Sequence, residues 1–455
     1  MTRARGKIVS AELLFTGREG VVAMKIGFVS LPASGHLNPM TALARRMQAR
    51  GHEVVFIGFV ETEPTIRAAN LRFVPFCESE YPEGSIAKDF AGISRLQGFE
   101  VVQYTCQQVM PALLEAALKH LPEKITQTGV ELLVVDATYF HLSLVPMHMG
   151  IPFVHVWTAH HLDFSGATPP ALFGFPYETT AEAMQKNLEA LQKCGEILGP
   201  LAAIAQPYAE KVGLQIDWND PTATISKLAA ITQSPKEFDF PNPNWPPSFH
   251  YAGPFHDDRG RLEAPFPWER LTGKPLVYAS LGTIVNGLEY VYRIILDAVG
   301  KFPEFQTVLS VGKNINPDVL GAIPRNVIVV SAAPQIELLK RATLCITHAG
   351  LNTTLESLAQ GVPLVAIPIG YDQPGVAARI AHHGVGEFVA VGELTADHLL
   401  ALVQRAATDP GYRMRARQFR EVIAKTRGLD AAAEIIEQSV GTGGVSRQDV
   451  ELLPA

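Results

Sequence analysis

The sequence predicts an α/β protein made of two Rossmann-like, doubly wound domains that face each other across a cleft. The first observation is a strand at 25–31, a turn around Gly35, a helix that stops at Gly51 and a second strand at 53–59. The second is that this order restarts at 275–281, beyond a Pro-rich stretch. Such alternation is typical of parallel sheets covered by helices. A chain of 455 residues is long enough for two such cores.

Short apolar runs bounded by turn residues recur through the first half of the chain. They predict strands at residues 25–31, 53–59, 71–76, 131–135, 151–156, 228–232 and 249–251. The second half repeats the pattern at 275–281, 307–311, 327–330 and 344–347. We divide the chain into a disordered N-terminal extension (1–23), an N-terminal Rossmann-like domain (24–240), a Pro-rich linker (241–270), a C-terminal Rossmann-like domain (271–440) and a mobile tail (441–455).

Composition excludes several classes of function. The formal charge of −7 provides no basic surface, so we expect no nucleic-acid partner. Four widely spaced cysteines favour free thiols in a reducing, cytoplasmic compartment. No apolar run approaches the roughly 20 residues of a membrane-spanning helix, so we expect no stable membrane insertion. We find no metal-like cluster of ligands, and we expect no metal, no cofactor, and a monomer or weak dimer.

Hydrogen-bond donors and one acid cluster after the strand predicted at 344–347. Gly350 marks the turn, and a helix-like pattern follows it, so free backbone N–H groups point beyond the sheet. His348, Asn352 and Thr353 add side-chain donors, and Glu356 lies one helical turn further along. Donors suit phosphates and a carboxylate suits ribose hydroxyls, which favours a nucleotide ligand. The alternative is ordinary helix capping by Asn352 or Thr353.

The same stretch resembles the nucleotide-sugar signature of the family 1 glycosyltransferases, which include plant secondary-product enzymes and bacterial macrolide and carotenoid enzymes. The matching positions, in order, are Pro334, Gln335, His348, Gly350, Asn352, Thr353, Glu356, Gly361, Pro363, Asp372 and Gln373. One position departs from the family pattern. Ala332 stands where the plant enzymes carry a tryptophan that stacks on uracil.

The resemblance implies the GT-B fold, with the acceptor bound by the N-terminal domain and a UDP-sugar by the C-terminal domain without a metal ion. It assigns the ribose to Glu356 and the sugar hydroxyls to Asp372 and Gln373, with glucose as the expected sugar. The donor-binding residues are expected to be Thr283, Ala333, Gln335, His348, Gly350, Asn352, Thr353, Glu356, Asp372 and Gln373.

His36 is the candidate catalytic base. It follows the first strand, at the edge where doubly wound sheets bind ligands, and an imidazole suits proton removal from a hydroxyl. Asp136 ends a later predicted strand and is placed to hold the imidazole, as the acid does in a hydrolase triad. The family's His/Asp pair maps onto these two residues. The alternative for Asp136 is a helix cap.

The acceptor is expected to be a small lipophilic or aromatic molecule with a hydroxyl group. Its candidate contacts are aromatic side chains in three irregular stretches, namely Phe90, Tyr139, Phe140, Phe164 and Phe173. Three other functions stay open: a sugar-nucleotide epimerase or envelope-lipid glycosyltransferase of the same fold, a nicotinamide-dependent dehydrogenase, and a non-catalytic nucleotide binder. Neither glycine turn has the Gly-x-Gly-x-x-Gly spacing, which disfavours the dehydrogenase.

Overall fold

A computed structural model describes residues 23–257 and 259–441 of the chain. The predicted N-terminal extension (1–23) and mobile tail (441–455) lie outside the described residues, apart from one residue of each. Within the described part, thirteen strands form two sheets. No helix among these residues combines the length and apolarity that crossing a membrane requires.

The first sheet has seven parallel strands in the order β3-β2-β1-β4-β5-β6-β7. They are β1 (Lys25–Val29), β2 (Glu53–Gly58), β3 (Arg72–Pro75), β4 (Leu132–Asp136), β5 (Phe153–Trp157), β6 (Ala230–Thr232) and β7 (Phe249–Tyr251). The helices of this half are α1 (Ser34–Ala49), α2 (Glu63–Ala68), α3 (Ser85–Ala91), α4 (Phe99–Tyr104), α5 (Met110–Thr128), α6 (Leu144–Met149) and α7 (Ala181–Lys211).

The second sheet has six parallel strands in the order β10-β9-β8-β11-β12-β13. They are β8 (Leu276–Ser280), β9 (Gln306–Ser310), β10 (Val327–Val330), β11 (Ala342–Thr347), β12 (Leu364–Ala366) and β13 (Gly386–Phe388). The helices are α8 (Glu289–Gly300), α9 (Gln335–Leu339), α10 (Leu351–Ala359), α11 (Gln373–His382), α12 (Ala396–Thr408), α13 (Pro410–Lys425) and α14 (Leu429–Gly441).

Both sheets are wound in the same way. Counted from its own first strand, each has the order 3-2-1-4-5-6, and the first sheet adds one further edge strand. This is the doubly wound order of Rossmann-like folds, and it reverses direction between the first and fourth strands. The predicted fold class is confirmed.

The strands are buried on both faces, which explains their nearly continuous apolar sequences. In β1 and β2, alternate side chains enter different cores. Ile26 and Phe28 pack in the cluster that contains Met40 of α1, whereas Val29 and Val55 pack in the cluster around α5. Because neighbouring side chains on a strand point to opposite faces, one apolar run fills both layers.

Two predicted domain boundaries differ from the structure. The N-terminal domain was expected to end at residue 240, but β7 pairs with β6 in the first sheet, so this sheet extends to Tyr251. The prolines between 241 and 247 form the loop that leads into β7. The C-terminal domain was expected to include everything to 440, but α14 packs on the first sheet. Ala433 and Ile436 of α14 share a core with Phe28, and Arg50 on the first half forms an ion pair with Glu437.

The chain therefore crosses between the halves twice, once after β7 and once between α13 and α14. The two crossings touch. Gly253 on the first has a φ of +92°, and a Cβ placed on it would lie 2.4 Å from the Cβ of Thr426 on the second. A glycine is required here because any side chain would overlap the neighbouring crossing.

Candidate active site

The candidate site lies where the carboxyl ends of both sheets meet. His36 lies in the first turn of α1, directly after β1, and Asp136 is the last residue of β4. In the second sheet, Gly282 follows β8 and His348 follows β11. Each pair flanks the point at which the strand order reverses, where ligands bind in doubly wound folds. The structure thus brings the predicted base and the predicted donor residues to one cleft.

His36 and Asp136 form a hydrogen-bonded pair. His36 Nδ1 lies 2.9 Å from Asp136 Oδ2, the Asp136 side chain is 0% exposed and the His36 side chain is 19% exposed. The hydroxyl oxygens of Thr158 and Thr138 lie 2.7 and 3.1 Å from the same nitrogen. Three oxygen acceptors around Nδ1 fix the proton on that nitrogen, which leaves Nε2 with its lone pair to accept a proton from a substrate.

The carboxylate is held in turn. Thr138 Oγ1 donates to Asp136 Oδ1 at 2.6 Å and Thr158 Oγ1 donates to it at 3.2 Å. Ser30 Oγ donates to Oδ2 at 3.0 Å. Sequence reasoning missed Ser30, Thr138 and Thr158. Their only sequence signal is that each lies at or just beyond the carboxyl end of β1, β4 or β5.

The electrostatics of the pair suit a base. Burial disfavours the charged imidazolium, but the adjacent Asp136 carboxylate outweighs burial and raises the pKa of His36 above its ordinary value. Burial likewise raises the pKa of Asp136, but His36 and the Thr138 hydroxyl outweigh it, and the net pKa of Asp136 is lowered. Asp136 therefore stays ionised and stabilises the charge that His36 acquires on taking a proton.

The donor side is built on the N-terminus of α10. Gly350 is the N-cap residue, and the backbone N–H groups of the first turn are available for an anion. The His348 ring packs between two glycines. A Cβ on Gly350 would lie 2.5 Å from His348 Nε2, and a Cβ on Gly282, whose φ is +81°, would lie 2.6 Å from it. Thr283 is exposed in the same turn. Two glycine turns thus allow backbone and imidazole to approach one ligand closely.

A second group of donor residues is joined by Gln335. Its Nε2 donates to Glu356 Oε2 at 2.7 Å and to Thr353 Oγ1 at 3.3 Å, and its Oε1 accepts from the Tyr278 hydroxyl at 3.0 Å. Glu356 is buried. The carboxylate that is predicted to bind the ribose is therefore held in one position, one helical turn beyond Asn352 on α10.

Ala332, in the position of the missing tryptophan, is exposed and offers no ring to a base. The next residue, Ala333, is partly buried against the cluster around Leu338, so its backbone is fixed at the start of α9.

Donor residues also contact the first half of the molecule directly. Asn352 Nδ2 donates to the backbone oxygen of Gly35 at 2.6 Å, and Gln233 Nε2 donates to Asn352 Oδ1 at 2.8 Å. Asp372 Oδ2 accepts from the backbone N–H of His160 at 2.7 Å. The two sides of the cleft are therefore in contact. Gln233 was not predicted, and it also donates to the backbone oxygen of Thr158, whose hydroxyl contacts His36.

Gln373 has a structural role in the loop that carries Asp372. Its Oε1 accepts from the backbone N–H groups of Ile369 and Gly370 at 2.8 and 3.0 Å. The preceding Tyr371 has a φ of +54°, which is uncommon for a non-glycine residue, and its hydroxyl lies 2.8 Å from Thr105 Oγ1 in the first half. The loop is thus held in one conformation from both sides.

The candidate acceptor residues fall into two groups. Tyr139 lies in the core with its hydroxyl bonded to the backbone oxygen of Leu113, so its assignment as an acceptor contact is wrong in this structure. A buried tyrosine that is satisfied by backbone has no face left for a ligand. The other four predicted residues are partly buried: Phe90, Phe140, Phe164 and Phe173. The Phe173 ring packs 4.9 Å from the ring of Phe99, which is exposed.

A buried charged cluster joins the halves behind the site. Asp239 Oδ1 accepts from Arg379 Nε at 2.8 Å and forms an ion pair with Arg379 Nη2 at 2.7 Å. Asp239 Oδ2 accepts from His161 Nε2 at 2.7 Å and from the Tyr251 hydroxyl at 2.5 Å. His160 completes a group of potential metal ligands with His161 and Asp239, which sequence reasoning did not foresee. The group does not suit a metal ion, because the Arg379 guanidinium already neutralises the carboxylate and would repel a cation.

Comparisons with known proteins agree with this geometry. Residues 213–430 match the family model described as "UDP-glucoronosyl and UDP-glucosyl transferase". A zeaxanthin glucosyltransferase of Pantoea ananas is 26% identical over 91% of this chain and 96% of the relative. Among solved structures, the glycosyltransferase of kitacinnamycin superposes with a TM-score of 0.69 at 22% identity, over 92% of this chain and 100% of that one. The glycosyltransferase VinC, solved with DTDP, gives 0.64 at 19% identity over 91% and 99%.

The two Rossmann-like sheets facing each other across a cleft have the GT-B architecture. The family model and the relatives identify the chain as a glycosyltransferase. The resemblance of the sequence to the family 1 glycosyltransferases is confirmed, and the chain is a relative of the UDP-glucosyl transferases.

Proposed function

We propose that the protein is an inverting, metal-independent glycosyltransferase that moves glucose from UDP-glucose to a hydroxyl of a small lipophilic or aromatic acceptor. The single observation that carries the proposal is the His36–Asp136 pair, oriented by three oxygen acceptors around Nδ1 and facing the N-terminus of α10. A base on one side of a cleft and an anion site on the other are the two requirements of a direct displacement.

In the proposed reaction, His36 Nε2 takes the proton of the acceptor hydroxyl while the oxygen attacks C1 of the sugar. The bond from C1 to the diphosphate oxygen breaks on the opposite face, and UDP leaves. An α-linked donor therefore gives a β-glycoside. Asp136 stabilises the imidazolium that forms, and no covalent sugar–enzyme intermediate is required.

Charge on the leaving diphosphate is balanced without a cation in this proposal. The N–H groups of the first turn of α10, with His348 and Asn352, supply hydrogen bonds and the positive end of the helix dipole. Glu356 accepts from the ribose hydroxyls, and Asp372 accepts from a sugar hydroxyl. The assignment of glucose is supported by the match of Asp372-Gln373 to the family signature and by two relatives named zeaxanthin glucosyltransferase.

A natural product with an apolar body is the proposed class of acceptor. Relatives named for zeaxanthin, demethyllactenocin and oleandomycin support this class. Phe90, Phe140, Phe164 and Phe173 are the proposed contacts.

Four buried free cysteines support a reducing, cytoplasmic location. A monomer or weak dimer remains the proposed assembly.

The test is incubation with UDP-glucose and a panel of phenols, macrolides and hydroxy-carotenoids, with UDP release and product mass as readouts. We expect a product heavier by one hexose, with a β-linkage by NMR, in the presence and absence of EDTA. Parallel reactions with dTDP-glucose distinguish the two nucleosides. Absence of both UDP and glycoside over the whole panel would refute the proposed activity.

A further inference from the structure

An arginine from the segment between the sheets reaches the donor side of the cleft. Arg261 lies 95 residues before Glu356, and its Nη2 donates to Glu356 Oε1 at 2.5 Å. Glu356 is buried, whereas the Arg261 side chain is 28% exposed. A buried carboxylate requires a partner, and the guanidinium supplies a charge-assisted hydrogen bond. Arg261 lies outside the stretch from Ala332 to Gln373 in which the family signature is found.

The contacts of Glu356 leave room for a ligand. Oε1 receives Arg261 and Oε2 receives Gln335, one donor on each oxygen. An ionised carboxylate accepts about four hydrogen bonds, so one position on each oxygen remains. The 2′- and 3′-hydroxyls of a ribose present two neighbouring donors that fit these two positions. A 2′-deoxyribose presents one.

We propose that Arg261 is a positioning residue that holds Glu356 for a ribonucleoside and so sets the preference for a ribose over a 2′-deoxyribose donor. This inference rests on the proposed function, because it assigns the same carboxylate to the ribose. The guanidinium also neutralises Glu356, which would otherwise repel the diphosphate that binds at the N-terminus of the same helix.

The segment that carries Arg261 also borders the nucleoside region. A small cavity of about 20 Å³ is lined by His256, Ile336, Glu356 and Gln360. Its walls come from α9, α10 and the segment after β7. This segment therefore lies beside Glu356, and Arg261 is its charged contact with the donor residues.

The experiment compares the affinities of UDP and dUDP, measured by titration calorimetry, for the full-length protein and its variants. For Arg261→Ala we expect a Kd for UDP raised about tenfold and a Kd for dUDP raised less than about threefold. The KM for UDP-glucose rises with the Kd for UDP, whereas kcat changes less than about twofold. Arg261→Lys keeps the charge and recovers part of the loss.

Arg259→Ala is the matched control, since Arg259 is 81% exposed and contacts Asp257 instead of a donor residue. It should bind UDP as the unchanged protein does. Glu356→Gln should lose the same preference for UDP over dUDP, and adding Arg261→Ala to it should cause little further loss, because one residue acts through the other. Thermal unfolding of each variant reports on folding.

The results distinguish failure of the proposed function from failure of the role proposed for Arg261. An unchanged protein that binds no UDP overturns the proposed function. If the unchanged protein binds UDP but Arg261→Ala binds it as tightly as Arg259→Ala does, or more tightly, the role of Arg261 is overturned and the proposed function stands. Equal weakening of UDP and dUDP also overturns the role in ribose selection, because it indicates a contact with the phosphates.

Discussion

The two sheets have the same strand order, but the histidines near their two reversal points have pKa values shifted in opposite directions. Where the order of the first sheet reverses, a buried carboxylate raises the pKa of His36. At the corresponding place in the second sheet, burial without an adjacent carboxylate lowers the pKa of His348 to about 4. The charged form of His36 is thus stabilised, whereas His348 is a neutral hydrogen-bonding group near neutral pH.

Topology sets the location of each histidine, and a neighbouring side chain sets its pKa. Both histidines lie beyond the carboxyl end of a parallel strand and both are largely enclosed. The difference comes from Asp136 at the end of β4. At the end of β11, the fourth strand of the second sheet, Thr347 stands in its place, and His348 lies beside glycine turns and the N-terminus of α10. One half thus carries an imidazole–carboxylate pair, which suits proton transfer, and the other a helix N-terminus, which suits an anion.

Replacing His36 with alanine should cause the largest loss of activity. We expect kcat to fall about 1,000-fold, since a positioned general base contributes roughly that factor. The affinity for UDP should stay unchanged because the donor residues lie on the other sheet. Activity with a panel acceptor and calorimetry with UDP check the two parts. A variant that keeps full activity would exclude His36 as the base.

The buried ion pair between Asp239 and Arg379, which joins the two halves, should be the next most sensitive to substitution. Asp239→Asn leaves the buried Arg379 without its counter-charge, and we expect a loss of about 3–5 kcal/mol in the free energy of unfolding, measured with urea. Asp397→Asn is the control, because Asp397 pairs with Lys301 on the surface and should leave the unfolding midpoint unchanged. Equal effects of the two changes would contradict the inference.

Asp136→Asn should lower the pKa of His36, as burial lowers that of His348. The base form of His36 exists above its pKa, so the rate falls as the pH drops through that value. Because Asp136 raises the pKa of His36, the variant's acidic limb should move to lower pH, while the maximal rate falls about 100-fold or more. The pH–rate profile measures both. A limb that moves to higher pH would contradict the assignment.

His348→Gln should have the smallest effect and no effect on the pH profile. The ring is neutral at working pH, so its replacement removes a hydrogen bond and a close contact instead of a titrating group. We expect the KM for UDP-glucose to rise about tenfold or less, with the acidic limb unmoved. A shifted limb would indicate that His348 titrates during the reaction.

Much of the fold and the core of the site could be predicted from the sequence. Strand-like runs and glycine turns located both sheets. The candidate residues around His36 and around Glu356 could be named because the members of each group lie close together in the sequence. The contacts of Asp239 with Arg379 and of Arg261 with Glu356 join residues 140 and 95 positions apart, and only the tertiary fold brings them together. Tyr139 shows a second limit. It lies in a stretch that the sequence predicts to be a loop, but its side chain packs in the core.

The position of α14 limits how far the two halves can move apart. The halves are joined by two crossings that touch at Gly253 and Thr426, and not by one flexible tether. Two adjacent connections restrict the relative movement of the halves more than a single linker does. The return of the chain through α14 thus helps to keep His36 opposite the N-terminus of α10.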